Sequence, residues 1–572
     1  MKCVPVICLL GYTTPMRLMW FRILVLFLIG SCSANLLFTI NCDDEVIKEN
    51  IENRLKNYTL RFNEINQKNV DKIYNGAIRQ VRSAMEPFGY FQPNIKSELL
   101  TSNNQYLIAF DVQKGLRSII GDIYLKFDKK MLDEHKGVFS ALYALSGQPY
   151  DGEKIAKIQI DIKNYFSNRG YIFAEFNQSF IKQRGQIVDL NFILNLHQQF
   201  FFGAITYTRK NNLSTKFLNR FLNFKPGEPF NSQKVNDLQQ NLSRSNYFSQ
   251  IGVRQQSEEG YNIPIEIDLT DVTPKRSTYS IGYDSFFDFG FGYGYSILPS
   301  NSMGHSIQFV GKVTTNNFYN FLSSYHIPAK DPVTTEYVLS LAYINLELAE
   351  GLSKKAIATL SRNYFNNGFL FQPSINFAVE RSKPSNESSF NTYLTYPRLN
   401  TGYQWSNSEG IISSARFNLD SILTSKVLLS KVDLARFHFQ SEAIIPLSFF
   451  NLRLASELGK YESSSNDEVP LSLNFFTGGP DTLRGYRFFS IGPGKYLKTF
   501  NYELQFPVRP FWSFIVFQDR GVAADEWDAA MKVGTGVGVM WSSSFIGLKL
   551  SLAKAEDDPG QPLRVQFSVQ TI

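Results

Sequence analysis

A chain of 572 residues is too long for one hydrophobic core, so more than one domain is expected. Aromatic residues make up 15% of it, with 50 Phe and 29 Tyr, and 43% is hydrophobic, a balance that suits a β-barrel whose outer face meets lipid and whose rims carry aromatic rings. The formal net charge of +7 is small for this length, and with no basic stripe beside it no nucleic acid is expected as a partner.

At the amino terminus Arg17 and Arg22 flank a second candidate start at Met16, Ile23 to Ile29 form a short apolar run, and Cys32-Ser33-Ala34 offers a cleavage site. This is the layout of an export signal over residues 1–34. A rival reading takes Ile29-Gly30-Ser31-Cys32 as a lipoprotein box with Cys32 lipidated. The apolar run falls well short of the ~20 residues that an anchor helix needs. The four cysteines, Cys3, Cys8, Cys32 and Cys42, all lie in the first 42 residues, so no disulfide framework braces the body of the chain.

A repeat with a period of about 80 residues follows. Its marker is a helical stretch that ends in an aromatic turn and enters a strand: "MEPFGYFQPNI" around Tyr90, "FSNRGYIFAEF" around Tyr171 and "LSRSNYFSQIGV" around Tyr247. The last two copies share "GQPYDGEKI" at Gly147 and "GEPFNSQKV" at Gly227, where Gly and Pro break the chain before an amphipathic helix. In the middle copy Ile119 to Phe127 alternates as a strand, Val138 to Leu145 and Glu153 to Phe166 read as helices, and "FAEFNQSF" and "IVDLNFILNL" read as strands. The repeats, set at 35–117, 118–200 and 201–273, are α+β units with helices on one side of a small sheet. Their sheet edges are open to strand addition by an extended chain, although plain structural spacing explains any single copy equally well.

From about residue 274 the texture changes to short alternating segments separated by polar loops such as "ERSKPSNESS" and "KYESSSNDEV". Val533, Thr535, Val537, Val539 and Trp541 alternate with Gly534, Gly536 and Gly538; Ile546, Leu548, Leu550 and Leu552 alternate with Gly547, Lys549 and Ser551; Leu563, Val565, Phe567 and Val569 alternate with Arg564, Gln566 and Ser568. One face suits lipid and the other water, the pattern of an all-β outer-membrane barrel. At roughly 18 or 19 residues per strand and connection, the span 274–572 holds about 16 antiparallel strands.

Other chemistries find little support. "GTGVGV" looks like a nucleotide-binding glycine loop but lies inside an alternating strand and opens no helix. The five histidines, His135, His197, His305, His326 and His438, lack metal-ligand spacing, and no Gly-x-Ser-x-Gly elbow is present. No enzyme activity, metal or cofactor is expected, although exposed Ser and His residues leave room for a barrel-type esterase site. A passive porin has no use for periplasmic repeats of this size.

Three such repeats followed by a barrel resemble the Omp85 superfamily, and within it the TamA branch. The resemblance rests on the turns at Tyr90, Tyr171 and Tyr247, "MGHSIQF" early in the barrel, "TYPRL" in its middle, "GGPDTLRGY" late, then "FQDRG" and "GTGVGV". It implies that the repeats are POTRA domains in the periplasm and that the barrel sits in the outer membrane. It further implies that Arg484, Gly485 and Tyr486 belong to a sixth extracellular loop folded into the lumen, and that Phe517, Asp519 and Gly521 form its wall motif, with Asp519 the partner of Arg484. An arginine inside a barrel needs an acceptor in any case, and a bidentate carboxylate suits it best. The chain ends "FSVQTI", without the aromatic terminus common to such barrels.

The resemblance implies a factor that assists assembly of autotransporters and other outer-membrane proteins. Its expected partners are a TamB-like periplasm-spanning protein, unfolded clients and outer-membrane lipid. A seam between a first strand (about Tyr279 to Phe286) and a last strand (about Leu563 to Thr571) would carry Tyr279, Gly282, Val565, Phe567 and Val569. A client strand in lipid cannot leave its backbone groups unpaired, and an open edge would supply partners. The alternative is a two-partner secretion transporter exporting one protein through the lumen; three repeats and no evident plug helix count against it.

Overall fold

The computed structural model describes residues 36–571 apart from 63–64, 103–104, 209–211, 257–259, 285–287, 349, 386, 408–411, 466–467 and 544–545. The expected export signal, with Cys3, Cys8 and Cys32, lies outside the described residues. The described residues form two compact units, one of those up to Ala204 with Lys225–Lys234 and Gln255–Ile265, the other of Ile205–Phe224, Val235–Arg254 and those from Glu266 onward.

The amino-terminal part builds three sheets of three strands. The first domain runs β1 (Leu36–Asn41), α1 (Glu45–Thr59), α2 (Val70–Met85), β2 (Asn94–Ser102) and β3 (Gln105–Gln113), with sheet order β1-β3-β2 and β1 parallel to β3. Ile47, Ile51 and Leu55 recur every fourth residue on α1, as do Ile73, Ala77 and Val81 on α2, and they pack on Phe38, Ile108 and Phe110 of the sheet. The second domain has β4 (Ile119–Lys126), α3 (Lys129–Glu134), α4 (Lys136–Tyr143), α5 (Gly152–Ser167), β5 (Glu175–Arg184) and β6 (Ile187–Asn195), ordered β4-β6-β5. The helix expected from Val138 begins at Lys136, and an extra short helix precedes it because Asp128 accepts from the Met131 N–H and caps a turn. The third has β7 (Phe201–Tyr207), α6 (Thr215–Leu218), α7 (Ser232–Arg244), β8 (Phe248–Gln255) and β9 (Asn262–Asp271), ordered β7-β9-β8.

The repeated aromatic turn has one structural task. Gly89, Gly170 and, in the third copy, Asn246 all take left-handed φ values of 87°, 94° and 60°, the conformation that ends a helix with glycine or asparagine. The Gly89 carbonyl accepts from the N–H of Ser118 and the Gly170 carbonyl from that of Phe200, while Tyr247, one residue after Asn246, accepts from Val272. Each turn therefore holds the backbone that leads into the next domain.

The rest of the chain forms one antiparallel sheet of 16 strands. Ten come first: β10 (Lys275–Asp284), β11 (Asp288–Ile297), β12 (Ser306–Thr314), β13 (Tyr319–Pro328), β14 (Thr335–Leu348), β15 (Gly351–Asn366), β16 (Phe369–Pro384), β17 (Phe390–Ser406), β18 (Ser414–Thr424) and β19 (Leu434–Leu447). β20 (Phe450–Ser463) is followed by a long connection containing the small hairpin β21 (Phe475–Thr477) and β22 (Ile491–Gly494). The sheet resumes with β23 (Tyr496–Arg509), β24 (Trp512–Ala524), β25 (Lys532–Ser542), β26 (Ile546–Ala555) and β27 (Leu563–Thr571). The fold is thus α+β domains followed by an all-β barrel, as the alternating segments predict.

Side chains alternate across this sheet. On β23 Thr499, Asn501, Glu503 and Gln505 are buried, while Tyr502 between them is exposed; on β25 to β27 Val537, Val539, Leu550, Leu552, Val565 and Val569 are exposed. The second set is the lipid face. Among the described residues no helix is long and apolar enough to cross a membrane.

Two readings of the sequence need correction. The first barrel strand starts at Lys275, four residues before Tyr279, and pairs with β11 up to Asp284; Phe286 lies outside the described residues. Lys275-Arg276-Ser277 carries no apolar alternation, so the strand start was hidden. The polar stretches at 380 and 460 are not wholly loops: Glu380 to Pro384 continue β16 and Lys460 to Ser463 continue β20. Polar residues there face the lumen side or extend the strands past the apolar band.

Candidate functional site

Counted along the side where β10 ends, the connection between β20 and β23, residues 464–495, is the sixth. It turns inward. Val469, Leu473 and Phe475 pack with Ala378, Tyr396, Leu434 and Leu497 of the barrel wall, and Leu483, Tyr486 and Ile491 pack with Ala555.

The wall that receives its tip is set by strand register. Asn501, Asp519, Gly534 and Ala555 are paired in one row across β23 to β26; Glu503, Phe517, Gly536 and Ala553 form the next. Each row has a polar or aromatic half and a flat half, which leaves a trough over β25 and β26. A Cβ on Gly534 would lie 1.9 Å from the Arg484 carbonyl oxygen. Gly485 is fitted from the other side: its φ is 94°, and a Cβ would lie 2.8 Å from the Lys554 carbonyl carbon.

Arg484 is 3% exposed and its two acids, Asp519 and Glu503, are fully buried. Its Nε and Nη2 donate to the two Asp519 oxygens at 2.7 and 2.8 Å, and its backbone N–H donates to Asp519 Oδ2 at 3.0 Å. Nη1 donates to Glu503 Oε2 at 2.5 Å. The guanidinium carbon stands 3.4 Å over the Phe517 ring centroid, so all the parts of this side chain have partners. Glu503 also accepts from Lys549 Nζ at 3.2 and 3.3 Å and from Gln505 Nε2 at 2.8 Å. Two cations thus face two carboxylates, which offsets the desolvation of all four.

Tyr486 lies beside this group, 1% exposed; its hydroxyl donates to the Val533 carbonyl at 3.1 Å and accepts from the Asp557 N–H at 3.2 Å. Gly521 pairs with Thr499, two residues further along β24 from Asp519. Arg484, Gly485, Tyr486, Phe517 and Asp519 are therefore brought together, with Gly521 at the margin. Reading the sequence missed Glu503, Lys549 and Gln566. A signal for Glu503 exists in "FNYELQF", where Asn501, Glu503 and Gln505 alternate with Phe500, Tyr502 and Leu504.

The remaining candidates lie at the ends of the sheet. β10 and β27 are its two terminal strands, their Cα atoms approach within 8 Å, and among the described residues no backbone ladder joins them. Tyr279 is 72% and Val565 65% exposed; Gly282 and Val569 are also exposed, and Phe567 is half-buried. On the inner face of β27, Gln566 Oε1 accepts from the Gly485 N–H at 3.0 Å and Nε2 donates to the Tyr486 carbonyl at 2.8 Å.

One Ser–His–carboxylate chain does form in the barrel. Ser324 Oγ lies 2.9 Å from His326 Nε2, and His326 Nδ1 lies 3.1 Å from Glu336 Oε2, while Asn363 Nδ2 donates to Glu336 Oε1 at 2.9 Å. Ser324 is buried, and β13 is paired with β12 and β14 along this stretch, so its amides are committed to the ladder and offer no oxyanion pocket. The chain reads as a structural polar network. Among the described residues no three His, Cys, Asp or Glu side chains converge as metal ligands.

Comparison with known proteins gives the family. The Omp85 superfamily domain matches residues 244–571, the POTRA domain described as TamA domain 1 matches 38–114, and a surface antigen variable number repeat of the POTRA type matches 200–273. The outer membrane protein assembly factor BamA of Nitratidesulfovibrio vulgaris is 21% identical over 522 residues, covering 81% of this chain and 63% of that protein. The BamA of Buchnera aphidicola is 20% identical over 257 residues, covering 44% and 41%. The chain thus spans less than two thirds of these relatives. The crystal structure of BamA from Haemophilus ducreyi lacking POTRA domains 1–3 superposes with a TM-score of 0.63 at 16% identity, covering 80% of this chain and all of that one, a likeness of fold. The chain belongs to the Omp85 superfamily, as an outer-membrane β-barrel preceded by periplasmic POTRA domains, the first of them of the TamA type.

Proposed function

We propose that this protein assists the insertion of other proteins into the outer membrane, in the manner of TamA. Residues 35–117, 118–200 and 201–273 serve as three POTRA domains that dock a partner or an incoming client by strand addition. The barrel over 274–572 then offers the client an edge at a lateral seam between β10 and β27. The partner is a TamB-like periplasm-spanning protein, and the clients are autotransporters and other outer-membrane proteins.

The observation that carries this reading is the pair of terminal strands: β10 and β27 approach without a ladder among the described residues. Backbone groups at such an edge want partners in lipid, and a client strand provides them. The names of the BamA relatives support assembly as the activity. Passage of a whole protein through the lumen is disfavoured by the loop that crosses it.

The test is a reversible lock. In a Cys42→Ser background, cysteines are paired between Tyr279–Gly282 on β10 and Val565–Val569 on β27; pairs with Cα atoms about 4.4–6.8 Å apart crosslink. Locked protein is expected to lose client assembly in vesicles and to regain it on reduction. A control pair at Leu550 and Phe567, neighbours across β26 and β27, is expected to crosslink without loss. Full crosslinking at the seam with assembly intact would refute lateral opening and favour the secretion-transporter alternative.

A further inference from the structure

Loop 464–495 is fastened to the barrel at two places far apart along the sheet. The latch around Arg484 is one side of it. On the other, Glu380, 1% exposed on the inner face of β16, accepts from the Ser472 N–H at 3.0 Å and from the Ser472 hydroxyl. Ser353 Oγ and Ser382 Oγ donate to the same carboxylate at 2.8 and 3.1 Å, and Ser382 Oγ accepts from the Leu471 N–H at 3.1 Å. Nearby, Arg436 Nε donates to the Leu473 carbonyl at 3.0 Å. A buried carboxylate with four donors has a built receptor for this segment of loop.

The opposite end reaches the seam itself. Gln566 is 5% exposed on β27 and grips two backbone groups, the Gly485 N–H and the Tyr486 carbonyl, with one side-chain amide. Among the described residues no other strand combines a terminal position with a direct hold on this loop through both ends of one side chain. If β27 moves away from β10, either this grip opens or the loop is pulled, and the loop is held at Glu380.

We infer that residues 471–486 act as a strap across the lumen, anchored at Glu380 and Gln566, and that the strap sets how readily the β10–β27 seam opens. The inference rests on the lateral-seam reading above and assigns its regulation: Gln566 is a positioning residue that acts on the seam through the loop, and Glu380 with Ser472 is the remote anchor. Opening then requires release of at least one anchor, and a client or partner that disturbs the loop at Ser472 would promote parting of strands on the far wall.

The test reads the seam directly, without client. Spin labels are placed at Ile281→Cys and Val569→Cys in Cys42→Ser protein lacking residues 1–34, and with them Cys3, Cys8 and Cys32, in lipid nanodiscs, and the distance distribution is measured. Gln566→Leu removes two hydrogen bonds, and Ser472→Ala removes a hydroxyl from the remote anchor; each is expected to raise the population of longer distances, by roughly tenfold for Gln566→Leu. Heat-modifiable migration on a gel checks that each barrel is folded, a readout that a purely structural role would alter without moving the seam. Unchanged seam distances in both folded variants, while Arg484→Ala lengthens them, would overturn the strap and leave the lateral seam standing. A seam that stays closed in all three variants and also with unfolded client added would overturn both. Should Gln566→Leu not fold, the result with Ser472→Ala decides.

Discussion

Replacing Arg484 with Ala is expected to weaken the barrel by about 3–5 kcal/mol, the usual consequence of stranding a buried charge. The partners show which charge is stranded. Asp519 loses both side-chain donors and keeps only the Arg484 backbone N–H, whereas Glu503 keeps Lys549 and Gln505. Asp519→Ala is milder, about 3 kcal/mol or less, because Arg484 retains Glu503 at 2.5 Å. The double variant should cost little more than Arg484→Ala alone, a coupling of about 2–3 kcal/mol. Arg484→Lys keeps the charge but gives up the two-pronged contact with Asp519, and should fall between wild type and Arg484→Ala. Urea unfolding of the barrel refolded into vesicles, followed through Trp405, Trp512, Trp527 and Trp541, measures all four. Additivity within about 0.5 kcal/mol would mean that the two residues do not act as a pair, and the seated loop would be wrong.

Gly534→Val should unseat the loop. A Cβ 1.9 Å from the Arg484 oxygen must retreat more than about 1 Å to reach the ~3.3 Å of an ordinary C···O contact, which separates Arg484 from Asp519; a cysteine at Phe488 should then react faster with a maleimide than in an otherwise wild-type chain. In the first domain, Asp44 accepts from the Ile47 N–H at 3.3 Å and pairs with Lys114 at 3.3 Å. Asp44→Ala should cost about 1 kcal/mol at α1, read as roughly fivefold faster amide exchange over residues 45–59. Desolvation raises the Asp44 pKa, but its hydrogen bonds with Ile47 and Lys114 outweigh that and hold it below the ordinary value. The capping contribution is therefore full above the unfolded value near ~3.9 and is lost as pH falls through the folded one; exchange over α1 should accelerate in that acid range in wild type and less so in Asp44→Ala. Ser324→Ala and wild type should show the same absence of fluorophosphonate labelling, and selective labelling of wild type would make the Ser324–His326–Glu336 chain an enzyme site after all.

Local chemistry made much of this protein legible in its sequence. The two-residue period of Val537, Leu550 and Val565 fixes which face of each strand meets lipid, because a strand turns successive side chains to opposite sides whatever its neighbours are. The Gly-Tyr turns mark the ends of helices because only glycine or asparagine takes the left-handed cap at low cost, and the third copy hides its turn behind Asn246. The pairing of Arg484 with Asp519 was available only through a family pattern, since nothing local links residues 35 positions apart.

Tertiary structure alone decided the rest. Period-two alternation tells that Glu503, Lys549 and Gln566 face inward, but not that they meet one loop; that depends on the register of β23 to β27, where shifting one strand by two residues keeps every face and changes every neighbour. Glu380 lies in a stretch that reads as polar loop, and its contact with Ser472 spans 92 residues of chain. Such a contact pays its closure entropy only after the intervening strands have paired. Where the sheet stops is likewise a property of the folded barrel: Tyr279 and Ile281 on β10 and Val565, Phe567 and Val569 on β27 recur at every second residue as on strands inside the sheet, and only the curvature accumulated over the 16 strands brings the two edges near each other.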